Sequence, residues 1–303
     1  MQAVWLILLA VGAGLWMRAR ADSDADALGL NRYVIDVAVP ALILTANPFA
    51  ALDPENLLLA GGAWVVFGLS LLVWHTIGRI ARLPKASIAS LALVTGLGNT
   101  AFLGYPVVSA VYGAAAMPTA ILVDQAGTFL VFATAAVVYA QWASGDGPAP
   151  WPEHARRVLL FPPLVASMFA YAVSMSPMNA WFSSTFEGPL SAIAATVSPV
   201  ALVAVGVRLR LRPAILRDRW IWASVVLKMV LLPSMVALAW TRWTLDPLAV
   251  EVAWVQLSMP AMVTAAILAA DRGLDRDRAI GAVALGLPLT FFIVPSIRFW
   301  MMP

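Results

Sequence analysis

Six polar or ionisable side chains in this chain, Asn99, Thr100, Asp124, Lys228, Gln256 and Ser258, stand inside long apolar runs. Burying an unpaired amide or hydroxyl costs roughly 2–7 kcal/mol, and an unpaired charge costs more. Residues of these types kept in such surroundings therefore have either a partner or a task. The amide of Asn99 offers two donors and an acceptor, which suits an anion. It either meets a substrate carboxylate or caps a broken backbone, and the two roles are compatible. Gln256 and Ser258 either face the same ligand or bond to neighbouring helices. Lys228 is costly to place at bilayer depth: it neutralises an anion, pairs with Asp124, replaces a coupling cation as a fixed charge, or belongs to a structural ion pair. Asp124, the carboxylate well inside its half of the chain, can carry a proton during turnover or pair with that lysine. The two assign together as a charge relay.

Covalent and metal chemistry find no support. The sequence has no cysteine, two histidines far apart (His75 and His154), no HExxH pair and no GxSxG turn. Neither a cofactor nor a metal site is expected, and the chain does not read as an enzyme.

The elements that must position these residues are membrane helices. Sixty-two per cent of the 303 residues are hydrophobic and 12% are charged, with a mean hydropathy of +0.86; a soluble domain carries about 25% charged residues. Apolar runs predict about ten spans, at 2–17, 33–51, 57–78, 87–111, 118–142, 157–176, 189–207, 220–240, 248–270 and 279–300. Arg18 and Arg20 follow the first run instead of preceding it, so it reads as a membrane helix and not a signal peptide.

Sixteen of the nineteen Lys and Arg residues fall after odd-numbered spans. By the positive-inside rule those connections are cytoplasmic and both termini lie outside the cell membrane. The formal net charge of +3 follows this topology and is no nucleic-acid signal.

Two of the ten spans are interrupted. Thr95 to Pro106 holds Gly96, Gly98, Gly104 and Pro106, and 248–270 holds Pro260. Glycine and proline both disfavour a continuous helix, and lipid cannot satisfy the freed backbone groups. Prolines recur at similar offsets, 159 residues between Pro40 and Pro199 and 154 between Pro106 and Pro260. Five spans per half make the second half enter from the opposite side. The organisation is thus a first repeat at 1–145, a cytoplasmic connection at 146–156 and an inverted repeat at 157–303, with the two breaks meeting near the midplane. Gly98, Asn99, Thr100, Tyr105, Pro106, Gln256, Ser258 and Pro260 are the candidate substrate-binding set.

Gly98-Asn99-Thr100-Ala101-Phe102-Leu103-Gly104-Tyr105-Pro106 resembles the N-x-x-F-L-G-x-P break of the auxin efflux carrier family, whose bacterial members include malonate-type carriers. Tyr33 to Leu42, Lys228 to Pro233 and Met259 to Ala269 resemble its second, eighth and ninth helices, and the likeness covers nearly the whole chain. The resemblance implies a fold shared with bile-acid symporters and NhaA-type antiporters. In it, helices 3–5 and 8–10 form a mobile transport domain, and helices 1, 2, 6 and 7 form a scaffold that often dimerises. The long cytoplasmic insert of plant auxin carriers is missing here, which argues against auxin as the substrate. The expected function is secondary transport of small organic anions in the inner membrane, proton-coupled or uniport. Sodium-coupled symport is the alternative, with a membrane-embedded enzyme, sensor or channel behind it.

Overall fold

The computed structural model describes residues 2–19, 23–46, 54–145, 155–156, 158–208 and 213–301. The expected connection at 146–156 lies outside the described residues except for 155 and 156, as do Arg20, Arg157, Arg210 and Arg212 of the basic count. Among the described residues every element is helical, and no strand forms. Among the described residues six helices are long and apolar enough to cross a membrane: Leu28–Ala46, Pro54–Ile80, Ala114–Ser144, Asn179–Val207, Arg219–Trp240 and Arg276–Phe299. Four apolar helices are shorter: Lys85–Gly96, Thr100–Tyr112, Pro162–Ser174 and Pro247–Leu257. The protein is a multi-pass helical membrane protein.

The chain divides into two compact units, each assembled from separated stretches. The first comprises Met1–Leu52, Ala101–Leu122 and Trp151–Leu209. Its helices Gln2–Arg18 and Val197–Arg208 pack backbone to backbone. A Cβ on Gly14 would lie 2.2 Å from the Val203 carbonyl oxygen, so only glycine permits that approach. The Tyr33 and Thr196 hydroxyls are 2.9 Å apart in the same unit.

The second unit comprises Asp53–Thr100, Val123–Pro150 and Arg210–Pro303. Its core gathers Leu59, Val66, Val123, Leu232, Trp240 and Leu257 from four elements of very different sequence position. Aspartates start two of its helices. Asp218 accepts the Trp220 amide at 2.8 Å, and Asp246 accepts the Ala249 amide at 3.0 Å just ahead of Pro247. A side-chain oxygen at this position satisfies an amide that the helix itself leaves free.

Several helices widen locally into π turns, at Val34–Ala38, Thr100–Gly104, Val123–Phe129, Phe132–Ala136 and Leu227–Leu231. Three of these end two residues before a proline: Pro40, Pro106 and Pro233. A proline has no amide to offer the carbonyl four residues earlier, and its ring clashes with it. That carbonyl (Asp36, Phe102 or Met229) falls inside the widened turn each time, which relieves the clash. Asp124 and Lys228 both lie in such turns.

Candidate functional site

The site is built where two half-length helices stop. Lys85–Gly96 has 12 residues and Pro247–Leu257 has 11, so at 1.5 Å per residue each reaches only about 17 Å of a roughly 30 Å hydrocarbon layer. Beyond them the backbone unwinds, at Leu97 to Asn99 on one side and Ser258 to Met262 on the other. The two unwound stretches pair with each other. Gly98 and Ala261 form an antiparallel bridge, the Asn99 amide donates to the Pro260 carbonyl at 2.8 Å, and the Met262 amide donates to the Leu97 carbonyl at 2.9 Å. Backbone groups that helices would have satisfied find partners here without water, which is the condition for non-helical chain at membrane depth.

Proline and glycine explain the local geometry. Pro260 cannot donate, so its residue presents only a carbonyl, and Asn99 takes it. Gly98 has no side chain because Lys228 lies against it: a Cβ there would stand 3.0 Å from Lys228 Nζ and 3.3 Å from its Cε. The carbonyl of Gln256 lies 3.6 Å from the same point.

Around the bridge the polar side chains are buried. Asn99 is 3% exposed, and its side-chain nitrogen has no hydrogen-bond partner among the described residues. The Ser258 hydroxyl, fully buried, likewise has none. Gln256 is fully buried in the last turn before the break. Thr100 donates to Asp124 Oδ1, and Gln125 donates through Nε2 to Asp124 Oδ2 at 2.8 Å, so both carboxylate oxygens are engaged. Lys228, 2% exposed, donates to the Leu257 carbonyl at 2.7 Å, the final carbonyl of its half-helix.

The second unit therefore sets Gly98 against Ala261 and Lys228 and Asn99 against Pro260 through direct contacts, Thr100 ties in Asp124, and Ser258 opens the unwound stretch two residues before Pro260. Tyr105 and Pro106 belong to the first unit, where Tyr105 is buried and Pro106 occupies the first turn of helix Tyr105–Tyr112. The partner the structure gives Lys228 is the Leu257 carbonyl, which the reading from sequence did not weigh. The reading from sequence missed the support beneath the site. Trp74 Nε1 donates to the Thr95 hydroxyl at 2.8 Å, and that hydroxyl sits 2.7 Å from the Ser224 hydroxyl. The available signal was spacing, since Ser224 stands four residues before Lys228 and shares its helix face.

Electrostatically the site is mixed. The C-terminal ends of Lys85–Gly96 and Pro247–Leu257 each bring about half a negative charge, and the N-terminal end of Val263–Asp271 brings about half a positive one. The opening amides of a helix have no acceptor within it, and Val263–Asp271 begins two residues after the bridged Ala261, so its N-terminus can receive an anion. Among the described residues no group of three or more metal-ligating side chains exists.

The model of the family described as "Membrane transport protein" matches residues 1–147 and 152–301. The chain belongs to this family, the auxin efflux carrier family that Gly98 to Pro106 resembles. It is 28% identical over 276 residues to a protein of Methanothermobacter thermautotrophicus named "Uncharacterized transporter", covering 90% of this chain and 88% of that one. It is also 28% identical over 295 residues to a Rhizobium meliloti protein named "Putative malonate transporter", covering 92% and 88% respectively.

Proposed function

We propose that this membrane transporter carries small carboxylates, malonate-sized monoacids or diacids, and binds them at the bridged break of the second unit. The observation that carries the reading is the side-chain nitrogen of Asn99, a buried donor with no partner among the described residues, beside a pair of unwound helices. Leaving such a donor empty costs about 1–3 kcal/mol, which a ligand recovers on binding. A substrate carboxylate accepts from Asn99 and from the amides that open Val263–Asp271, with Ser258 as a further donor. The name of the Rhizobium relative supports the substrate class.

In this reading the chain crosses the inner membrane ten times as two inverted repeats, with both termini outside. The unit holding the bridge, Lys228 and Asp124 is the transport domain, and its movement gives alternating access. The unit containing Gln2–Arg18 and Val197–Arg208 is the scaffold and forms a homodimer. Asp124 carries a proton where transport is coupled. The division of the chain into two compact units supports assigning the roles in this way.

The decisive experiment is a thermal-shift panel on purified protein with malonate, succinate, acetate and a neutral diamide of malonate. The acids should raise the melting temperature and the diamide should not. Asn99→Ala should fold and lose the shift. Full carboxylate binding by that variant would overturn the site.

A further inference from the structure

Helix Arg219–Trp240 grips both half-helices at their C-terminal ends. Ser224 bonds to Thr95 in the last turn of Lys85–Gly96, and Lys228, one turn later, bonds to the last carbonyl of Pro247–Leu257. Those ends carry negative partial charge, and in hydrocarbon surroundings their carbonyls require a partner. Unwound carbonyls and half-helix C-termini of this kind are the groups that coordinate small monovalent cations in many carriers. Here the position is filled by protein. The ammonium of Lys228 donates to the Leu257 carbonyl at 2.7 Å and lies beside the Gly98 backbone, where a Cβ on Gly98 would stand 3.0 Å from Nζ and 3.6 Å from the Gln256 carbonyl. Its aliphatic stem occupies the space that the missing Gly98 side chain leaves. The π turn Leu227–Leu231, imposed by Pro233, sets where along the helix the lysine emerges.

We propose that Lys228 is a built-in cation: its ammonium permanently occupies a carbonyl-lined position that sodium or lithium would otherwise take. The carrier then needs no inorganic cation, and removing the ammonium opens a site for one. The lysine acts as a positioning residue, neutralising the two helix ends so that the bridge keeps its geometry and Asn99 its place. The transport arm of the test rests on the carboxylate-carrier reading; the cation arm does not.

The full-length protein is melted in choline chloride and then with the choline replaced by sodium, lithium or potassium chloride. Wild type should hold its melting temperature within about 1 °C in all four salts, and proteoliposome uptake of a carboxylate should agree within about twofold. Lys228→Ala and the longer Lys228→Gln should melt lower in choline and recover about 5 °C, saturably, as sodium or lithium rises. Lys228→Arg should stay insensitive. A wild-type protein whose melting or uptake requires sodium overturns the inference, as do folded Ala and Gln variants indifferent to all three cations. Should both variants fail to fold, the wild-type salt series decides alone. Because the melting series contains no carboxylate, its outcome holds even if the substrate assignment fails.

Discussion

At the scale of single residues, the site depends on what Gly98 lacks. An added Cβ would stand 3.0 Å from Lys228 Nζ, closer than a relaxed contact. The obstacle is the tip of a flexible side chain, so Gly98→Ala should cost no more than about 1 kcal/mol in stability. Moving that tip lengthens the bond of the ammonium to the Leu257 carbonyl without breaking it, and carboxylate uptake should show a KM raised roughly tenfold with the melting temperature lowered by only a few degrees. Gly98→Val, which also crowds the bridge, should lose about 1–3 kcal/mol as overpacked sites do. Asp124 makes a different forecast. Thr100 and Gln125 occupy its two oxygens, and both bonds survive in part when an amide replaces the carboxylate. Asp124→Asn should therefore keep carboxylate-induced thermal shifts while uptake stops responding to an imposed proton gradient. Uptake that still follows the gradient would remove Asp124 from coupling.

At the scale of elements, Arg278 holds three helix starts of the second unit together. Its guanidinium pairs with Asp218 at 2.9 Å and Asp275 at 3.2 Å and donates to the Ser87 hydroxyl at 2.8 Å. Asp218 and Asp275 immediately precede Arg219–Val226 and Arg276–Met301, and Ser87 lies in the first turn of Lys85–Gly96. The pairs are about a quarter exposed, so the cluster contributes modestly, on the order of 1–3 kcal/mol. Arg278→Met should lower the melting temperature by roughly 5 °C, and adding Asp275→Asn should cost less than its effect alone because the two share one network. The breaks themselves were legible in sequence, since clustered Gly96, Gly98 and Pro106 and the isolated Pro260 announce them without reference to any partner. Proline's placement was less direct. Unwinding occurs at Leu97 to Asn99, whereas Pro106 acts further along, widening Thr100–Gly104. What sequence could not reveal is the set of contacts fixed by register between distant helices. That Lys228 meets the Leu257 carbonyl, or that Ser224 meets Thr95 across 129 residues of chain, depends on how far one helix slides along another.

At the scale of the whole molecule, the proposed inverted repeat makes a claim about sidedness that contacts within one unit do not address. If Lys85–Gly96 and Thr100–Tyr112 together cross the membrane once, the residues before and after them lie on opposite faces. A broken segment that turns back on itself would leave both on one face. The same choice applies to Pro247–Leu257 with Val263–Asp271. The chain contains no cysteine, so any introduced thiol is unique and reports its own side. Ala81, Ala115, Thr244 and Arg276 are exposed and bracket the two breaks. Basic residues crowd the segments around Ala81 and Arg276, which the positive-inside rule puts in the cytoplasm, whereas Arg242 is the one basic residue near Thr244. With a membrane-impermeant maleimide on intact cells, Ala115→Cys and Thr244→Cys should label. Ala81→Cys and Arg276→Cys should label only after the membrane is opened. Labelling of both members of a bracketing pair from the same side would make that break a re-entrant loop. The two halves would then no longer be inverted copies, and alternating access by a moving transport domain would lose its structural premise.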